Sequence, residues 1–493
     1  MFNYIFRINP ANLTRWALEK WTVLLLTALY TVYYLDDSAR PGNNSRPCCI
    51  KGWIGWWDQG QYYASVWALA AGDLDPNRHW YPLGYPLLAM PFKFLGSHPF
   101  FPIDLASLLI CYAAFLAFAR RTGVSTIAAV TVFLLTVCAD PLLFKQWAIP
   151  WTTSPGAATT WALLATAAAY LGGRRRPFLL GFLAASLPLF RPTDAIISVI
   201  CLGWVALAEL RISRLRALHV GAVVLGGLTP LIPYAALYLA IYGPVATPYM
   251  VHSKDIGFTL HNLVWRAFVL LLEPRQWFFA GEGLLARIPW LILGFAGALV
   301  AWRRMGPTAL LAACLIAYCL VMLAYVDLLP TGLWRYYNIH YFKWTLPGFG
   351  LLAWMLLRDL LARSRLAWAA LAMVLLLSAI RVTPRPAAAD EPALAIDIPG
   401  PAATEDNTTM AAELAAVDSY GPVQNITQMR AFAFPAGDGI RLIGLKRDFV
   451  GEVGWKAGHG PPMPVDPAPE RRWAEHFSLG YPCWLPPHVC KRR

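Results

Sequence analysis

Apolar runs long enough to cross a membrane recur along most of the chain, and short basic connections separate them. A span needs roughly 20 mainly apolar residues, because about 30 Å of hydrocarbon is crossed at about 1.5 Å per residue. Candidate spans lie near 17–35, 100–119, 124–140, 156–172, 178–190, 194–210, 218–242, 288–302, 307–329, 344–358 and 366–381. Several need flanking residues to complete them, and 178–190 is the shortest. Composition points the same way: 14% of residues are charged, where a soluble domain usually carries about 25%. The pattern predicts an all-α polytopic membrane protein of about eleven transmembrane helices.

The formal charge of +13 does not form one basic face, so it gives no reason to expect a nucleic-acid partner. Arg120–Arg121, Arg174–Arg175–Arg176, Arg211/Arg214/Arg216, Arg303–Arg304 and Arg358/Arg363/Arg365 fall in alternate short connections. The positive-inside rule places these and the N-terminus in the cytoplasm. The run Trp21 to Leu35 follows Arg7, Arg15 and Lys20 without a small-residue cleavage site, which reads as a retained signal-anchor.

This parity leaves residues 36–99, 141–155, 191–193, 243–287, 330–343 and everything after 382 on the outer side. The expected organisation is a membrane core over 1–381 with its first outer loop at 36–99, a Pro/Ala-rich linker at 382–403 and a soluble outer domain at 404–493. In the first loop, 58–72 and 85–95 read as helices lying in the interface, and 260–280 reads the same way. The Ala/Arg/Pro-rich composition suggests a bacterial inner membrane, with the outer side periplasmic. Among the nine cysteines, Cys111, Cys138, Cys201, Cys314 and Cys319 fall in spans as small apolar fillers. Cys48, Cys49, Cys483 and Cys490 lie outside them, and a Cys483–Cys490 disulfide suits an oxidising compartment.

Ionisable groups beside spans are costly and therefore informative. Asp58 follows Trp56–Trp57 at the start of a helix. There it can cap the helix, act as a general base, or do both. Arg335, His340 and Lys343 sit in LWRYYNIHYFKWTLP, just before a span. Two readings stay open for them: binding of a lipid phosphate or pyrophosphate, and ordinary interfacial anchoring. Arg191, ahead of a Pro turn, is expected at the outer mouth of the bundle, facing protein. Asp73 and Asp75 suit either a divalent cation or a turn. Asp36 and Asp37, at the end of the first span, are candidates for lining a site.

Four stretches carry a resemblance to the GT-C superfamily of membrane glycosyltransferases, which includes protein O-mannosyltransferases and lipid A aminoarabinose transferases. They are WWDQGQYYASVWALAAGDL, HWYPLGYPLLAMPF, LFRPTDAIISV and RYYNIHYFKWTLPGFGLL, between about residues 56 and 350. The resemblance implies a sugar carried on polyprenyl phosphate and transferred with inversion, on the outer face, to a glycan, lipid or protein acceptor. On that reading Asp58 deprotonates or positions the acceptor hydroxyl. Arg335, Lys343 and His340, with Arg191, Arg78 and Lys93, hold the leaving lipid phosphate. Tyr62, His79, Tyr81 and Asp37 are candidates for lining the acceptor side. Many relatives have two adjacent acids in the first loop, whereas Gln59 follows Asp58 here; this favours a metal-free mechanism over one using a divalent cation, and no cofactor is expected. The rival classes are a lipid or polysaccharide transporter, which predicts functional charges at the bilayer midplane, and a polymerase or ligase using a lipid-pyrophosphate donor, which predicts a large late outer loop.

Overall fold

In the computed structural model, the residues described are 10–39, 57–212, 217–251, 263–272, 283–303, 306–325 and 337–362, with isolated positions between them and four strands beyond. The chain divides into two compact units. The first is Met1–Val251, Trp290–Tyr318 and His340–Leu377; the second is His252–Pro289, Cys319–Ile339 and Ser378–Arg493.

The helices, in chain order, begin with α1 (Pro10–Ser38), α2 (Trp57–Ala71), α3 (Gly84–Ala89), α4 (Phe101–Arg121) and α5 (Thr126–Val137). They continue with α6 (Pro141–Ala148), α7 (Thr153–Leu171), α8 (Pro177–Phe190), α9 (Ala195–Ile212) and α10 (Ala217–Tyr242). The last are α11 (Leu263–Leu271), α12 (Leu284–Arg287), α13 (Leu291–Trp302), α14 (Pro307–Ala324) and α15 (Thr345–Leu361). Short 3-10 turns at Pro76–Arg78, Met90–Leu95, Pro192–Asp194 and Asn338–Phe342 join some of them.

Among the described residues, α4, α10, α14 and the stretch Pro192–Arg211 are four helices long and apolar enough to cross a membrane. The bent pair α5 and α6 makes five if it is one span. The remaining apolar stretches expected to span form shorter or more polar helices, and most of 366–381 lies outside the described residues.

In the first unit α1 buries Thr22, Leu26, Tyr30 and Tyr34, one residue in every helical turn, while Trp21, Leu25, Val32 and Leu35 stay exposed. That division is the signature of a helix with one protein face and one lipid face. The buried face ties down the start of α4, where Tyr30 donates to the Phe101 carbonyl at 3.1 Å. From α2, Tyr63 does the same to the Ser97 carbonyl at 2.8 Å.

α7 is the hub. It packs against α4, α8 and α9, and only Thr159, Ala162 and Leu171 escape burial along its length. Elsewhere small residues set how closely helices approach. A side chain at Gly181 would collide with the Val223 backbone and one at Gly226 with the Phe178 backbone, so this reciprocal pair fixes the α8–α10 contact.

The segment 141–155, expected as a loop, contains α6. Asp140 caps it by accepting from the Leu142 amide at 2.8 Å, and Pro141 occupies its first turn. The chain bends by 88° between α5 and α6. Trp147 is buried at the end of α6, and the Pro150 carbonyl just after it accepts from Gln59 of α2.

In the second unit Arg287 of α12 lies 5.0 Å over the Trp334 ring. Its C-terminal part forms an antiparallel sheet of β1 (Ala393–Ile398), β2 (Met429–Ala436), β3 (Gly439–Lys446) and β4 (Met463–Val465) in the order β1-β3-β2-β4. The register pairs Ala393 with Leu445 and Met429 with Lys446.

Candidate active site

Asp58 stands in the first turn of α2, where a carboxylate favours the helix dipole. Gln59 anchors that turn: it is buried and donates to the Pro150 carbonyl at 3.0 Å. Tyr81 donates to Asp58 Oδ1 at 2.5 Å, and its ring lies 4.8 Å from Tyr62 and 5.1 Å from Tyr249. Burial and the neighbouring Asp58 push both phenols, Tyr62 and Tyr81, well above the ordinary tyrosine value. Both phenols therefore stay protonated, and Tyr81 is the one that donates to the carboxylate.

His79 is structural. It is fully buried, with Nε2 at 2.9 Å from the Asp73 carbonyl and Nδ1 at 2.8 Å from Ser65 Oγ. A carbonyl only accepts, so Nε2 carries the proton and Nδ1 accepts from the serine. Its own carbonyl receives Tyr242, closing a lock on the first loop. Asp73 and Asp75 serve the turn: Asp75 caps Pro76–Arg78 through the Asn77 amide, and Asp73 accepts from the Asp75 amide. Arg78 lies 3.9 Å from Asp73 with its side chain 64% exposed, and Lys93 is also exposed. Neither joins the buried cationic set. Asp37 is buried and pairs with Lys145 at 2.6 Å, joining the end of α1 to α6. Arg335, Cys483 and Cys490 lie outside the described residues.

Arg191, His340 and Lys343 do come together. Arg191 follows α8, is extended before Pro192 as a residue preceding proline should be, and is buried. Its guanidinium donates to Tyr318 Oη at 3.1 Å, lies 3.8 Å from Asp194 and stacks 4.5 Å from the Tyr341 ring centre. Tyr318 in turn donates to the Tyr341 carbonyl at 2.7 Å. One hydroxyl thus fixes both the cation and the backbone beneath it.

His340 stacks on Trp151 at 3.9 Å and 3°, with Nδ1 at 3.1 Å from Thr153 Oγ1. Burial, reinforced by Lys343 and Arg191, pushes it well below the usual imidazole value, so it is neutral near pH 7. It shapes the site without adding charge. Lys343 donates to Ser154 Oγ at 2.7 Å and lies 5.3 Å from the Trp147 ring centre. Burial brings its ammonium down to about 7, with Asp104 opposing the shift and Arg191 adding to it.

Several of these groups escape a reading by motif. Tyr249, Tyr318 and Tyr341 look like belt aromatics in the sequence. Asp104 was readable: it is a lone carboxylate in the apolar run 100–119, and the structure buries it completely.

This chain is similar in structure to crystal structures of ArnT from Cupriavidus metallidurans, one in the apo state and one bound to undecaprenyl phosphate. The TM-scores are 0.46 and 0.45 at 17% and 16% sequence identity, and each match covers 72% of this chain. The chain spans 62% and 63% of the length of those two chains. No family model matches the sequence, and no curated protein matches it.

Proposed function

We propose that the chain is an inverting glycosyltransferase that moves a sugar from a polyprenyl-phosphate carrier to an acceptor on the outer face of the membrane. One observation carries this reading: a carboxylate and a buried guanidinium border the same tyrosines. Tyr249 and Tyr341 interact electrostatically both with Arg191 and with Tyr62, the neighbour of Asp58.

In this arrangement the acceptor hydroxyl gives its proton to Asp58, held in place by Tyr81. The acceptor oxygen bonds to the anomeric carbon from the face opposite the phosphate. The carbon–oxygen bond to the phosphate breaks, and its electron pair leaves on the phosphate, so configuration inverts. Arg191 and the protonated Lys343 stabilise the charge that develops there, as preorganised cations do in a water-poor site. The lipid chain of the donor lies against the apolar helices.

The test is sugar transfer by the purified protein supplied with a panel of polyprenyl-phosphate sugars. Asp58→Asn keeps size and removes the base. Loss of a positioned base should slow transfer by about 10²–10⁴-fold in a folded variant. Undiminished turnover by that variant would overturn the role given to Asp58, and no turnover by wild type with any donor would overturn the activity.

A further inference from the structure

The strip that joins α6 to α7, residues 150–154, touches both halves of the site. At one end the Pro150 carbonyl accepts from Gln59, the residue after Asp58, at 3.0 Å. At the other, Thr153 Oγ1 lies 3.1 Å from His340 Nδ1, and Ser154 Oγ accepts from Lys343 at 2.7 Å. Trp151 stands between them. It is buried, and its carbonyl accepts from the Ser154 amide at 3.0 Å.

The Trp151 ring lies flat against His340, at 3.9 Å and 3°. His340 in turn lies 4.1 Å from the Tyr341 ring, and the Arg191 guanidinium lies 4.5 Å over that ring. Planar groups thus run in series from the indole to the guanidinium. The stack holds the indole by its face and leaves its edge unused. An indole N–H lies in the plane of its own ring, so a ring stacked parallel to it cannot accept from it. Trp151 Nε1 is buried and has no hydrogen-bond partner among the described residues. Buried donors are nearly always paired, and leaving one without an acceptor is costly. Such a cost is tolerated where the acceptor arrives with a ligand.

We infer that Trp151 is a further substrate-binding residue, whose indole N–H donates to an oxygen of the lipid-linked donor, either on the phosphate or on the sugar. This rests on the function proposed above, which places the donor's head group beside Arg191 and Lys343. No protein hydrogen bond has to break for this one to form. Removing the N–H should therefore weaken the ligand and leave the free protein as stable as before. A purely structural indole would show the reverse.

The experiment uses the full-length protein in detergent and two variants. Replacing Trp151 by benzothienylalanine keeps the ring area and exchanges the N–H for sulfur. Trp151→Phe keeps a ring to stack on His340 and also lacks the donor. Binding of polyprenyl phosphate and of a panel of polyprenyl-phosphate sugars is titrated, and unfolding midpoints are measured without ligand. Both variants should bind about 10-fold more weakly or worse, while the benzothienyl variant keeps the wild-type midpoint. Weakening shared by all the ligands assigns the bond to the phosphate; weakening confined to the sugar-bearing ones assigns it to a sugar hydroxyl. Wild-type affinity in the benzothienyl variant overturns the inference. A lowered midpoint in that variant overturns it too, because the N–H would then be bonded within the fold. Should Trp151→Phe fail to fold, the benzothienyl variant decides alone. Weakened binding without any sugar transfer by the wild type retains the role of Trp151 and removes the glycosyltransferase reading. Transfer by the wild type with unaltered affinity in the variants does the opposite, and a wild type that binds none of these ligands overturns both.

Discussion

Tyr318→Phe isolates one hydroxyl that supports Arg191. The residue is fully buried, and its ring can remain where it is. The change removes a bond accepted from the guanidinium at 3.1 Å and one donated to the Tyr341 carbonyl at 2.7 Å. A bond to a charged group contributes about 1.5–3 kcal/mol and a neutral one about 0.5–1.5 kcal/mol. Arg191 keeps Asp194 at 3.8 Å and the Tyr341 ring at 4.5 Å, so the loss falls towards the lower end, at about 2–3 kcal/mol of stability. If half of that is expressed as misplacement of the cation in the transition state, kcat/KM drops by about 10-fold. The assay pairs initial rates of transfer from a saturable polyprenyl-phosphate sugar with thermal unfolding in the same detergent. Transfer within threefold of wild type, in a variant that has lost the expected stability, would refute the idea that this hydroxyl sets the guanidinium for the leaving phosphate.

Three other outcomes follow from the same geometry. Transfer should decline above about pH 7 as Lys343 loses its proton, since only the ammonium stabilises a departing anion; a pH profile of kcat/KM flat from 6 to 9 contradicts this. Lys145→Met leaves Asp37 buried without that partner and should cost about 3–5 kcal/mol, whereas adding Asp37→Asn should recover part of the loss in a double-mutant cycle read by unfolding. Gly226→Val drives a side chain into the Phe178 backbone and should separate α8 from α10, read as loss of the monodisperse peak in size-exclusion chromatography; a well-behaved variant would show that this contact is not close-packed.

The sequence made some of this site legible for physical reasons and hid the rest. Asp58 could be placed at a helix start because Trp-Trp-Asp-Gln-Gly combines an aromatic interface anchor with a favourable first-turn acid, and α2 begins at Trp57. Arg191 was legible from its Pro192 neighbour. Lys343 and His340 were visible as charges before a span, but not their depth, which depends on α6 and α7 lying beneath them. The bend that brings α6 there had a local signal: Asp140 and Pro141 are a cap and a first-turn proline. It reads as a loop only while the apolar run before it is assumed to continue straight. Arg78 and Lys93 look equivalent to the other cations in one dimension and separate from them only in three. Asp104 shows no motif around it in the sequence, because its hydrogen-bond partner Tyr85 lies in a separate stretch of the chain.

The burial of α7 also bears on how the protein reaches its membrane. The helix is 19 residues long, enough to cross, yet it begins Thr-Ser-Pro-Gly and is not among the described helices apolar enough to do so by composition. Lipid is a poor solvent for such a segment; other helices are a good one. α4 precedes α7 in the chain and supplies one of its principal contacts, and α8 follows at once. Integration of α7 is therefore expected to be conditional, with α4 waiting at the insertion site until its partner arrives. The interior of the finished bundle would then be assembled in the order of synthesis, around a segment that the bilayer alone would not retain.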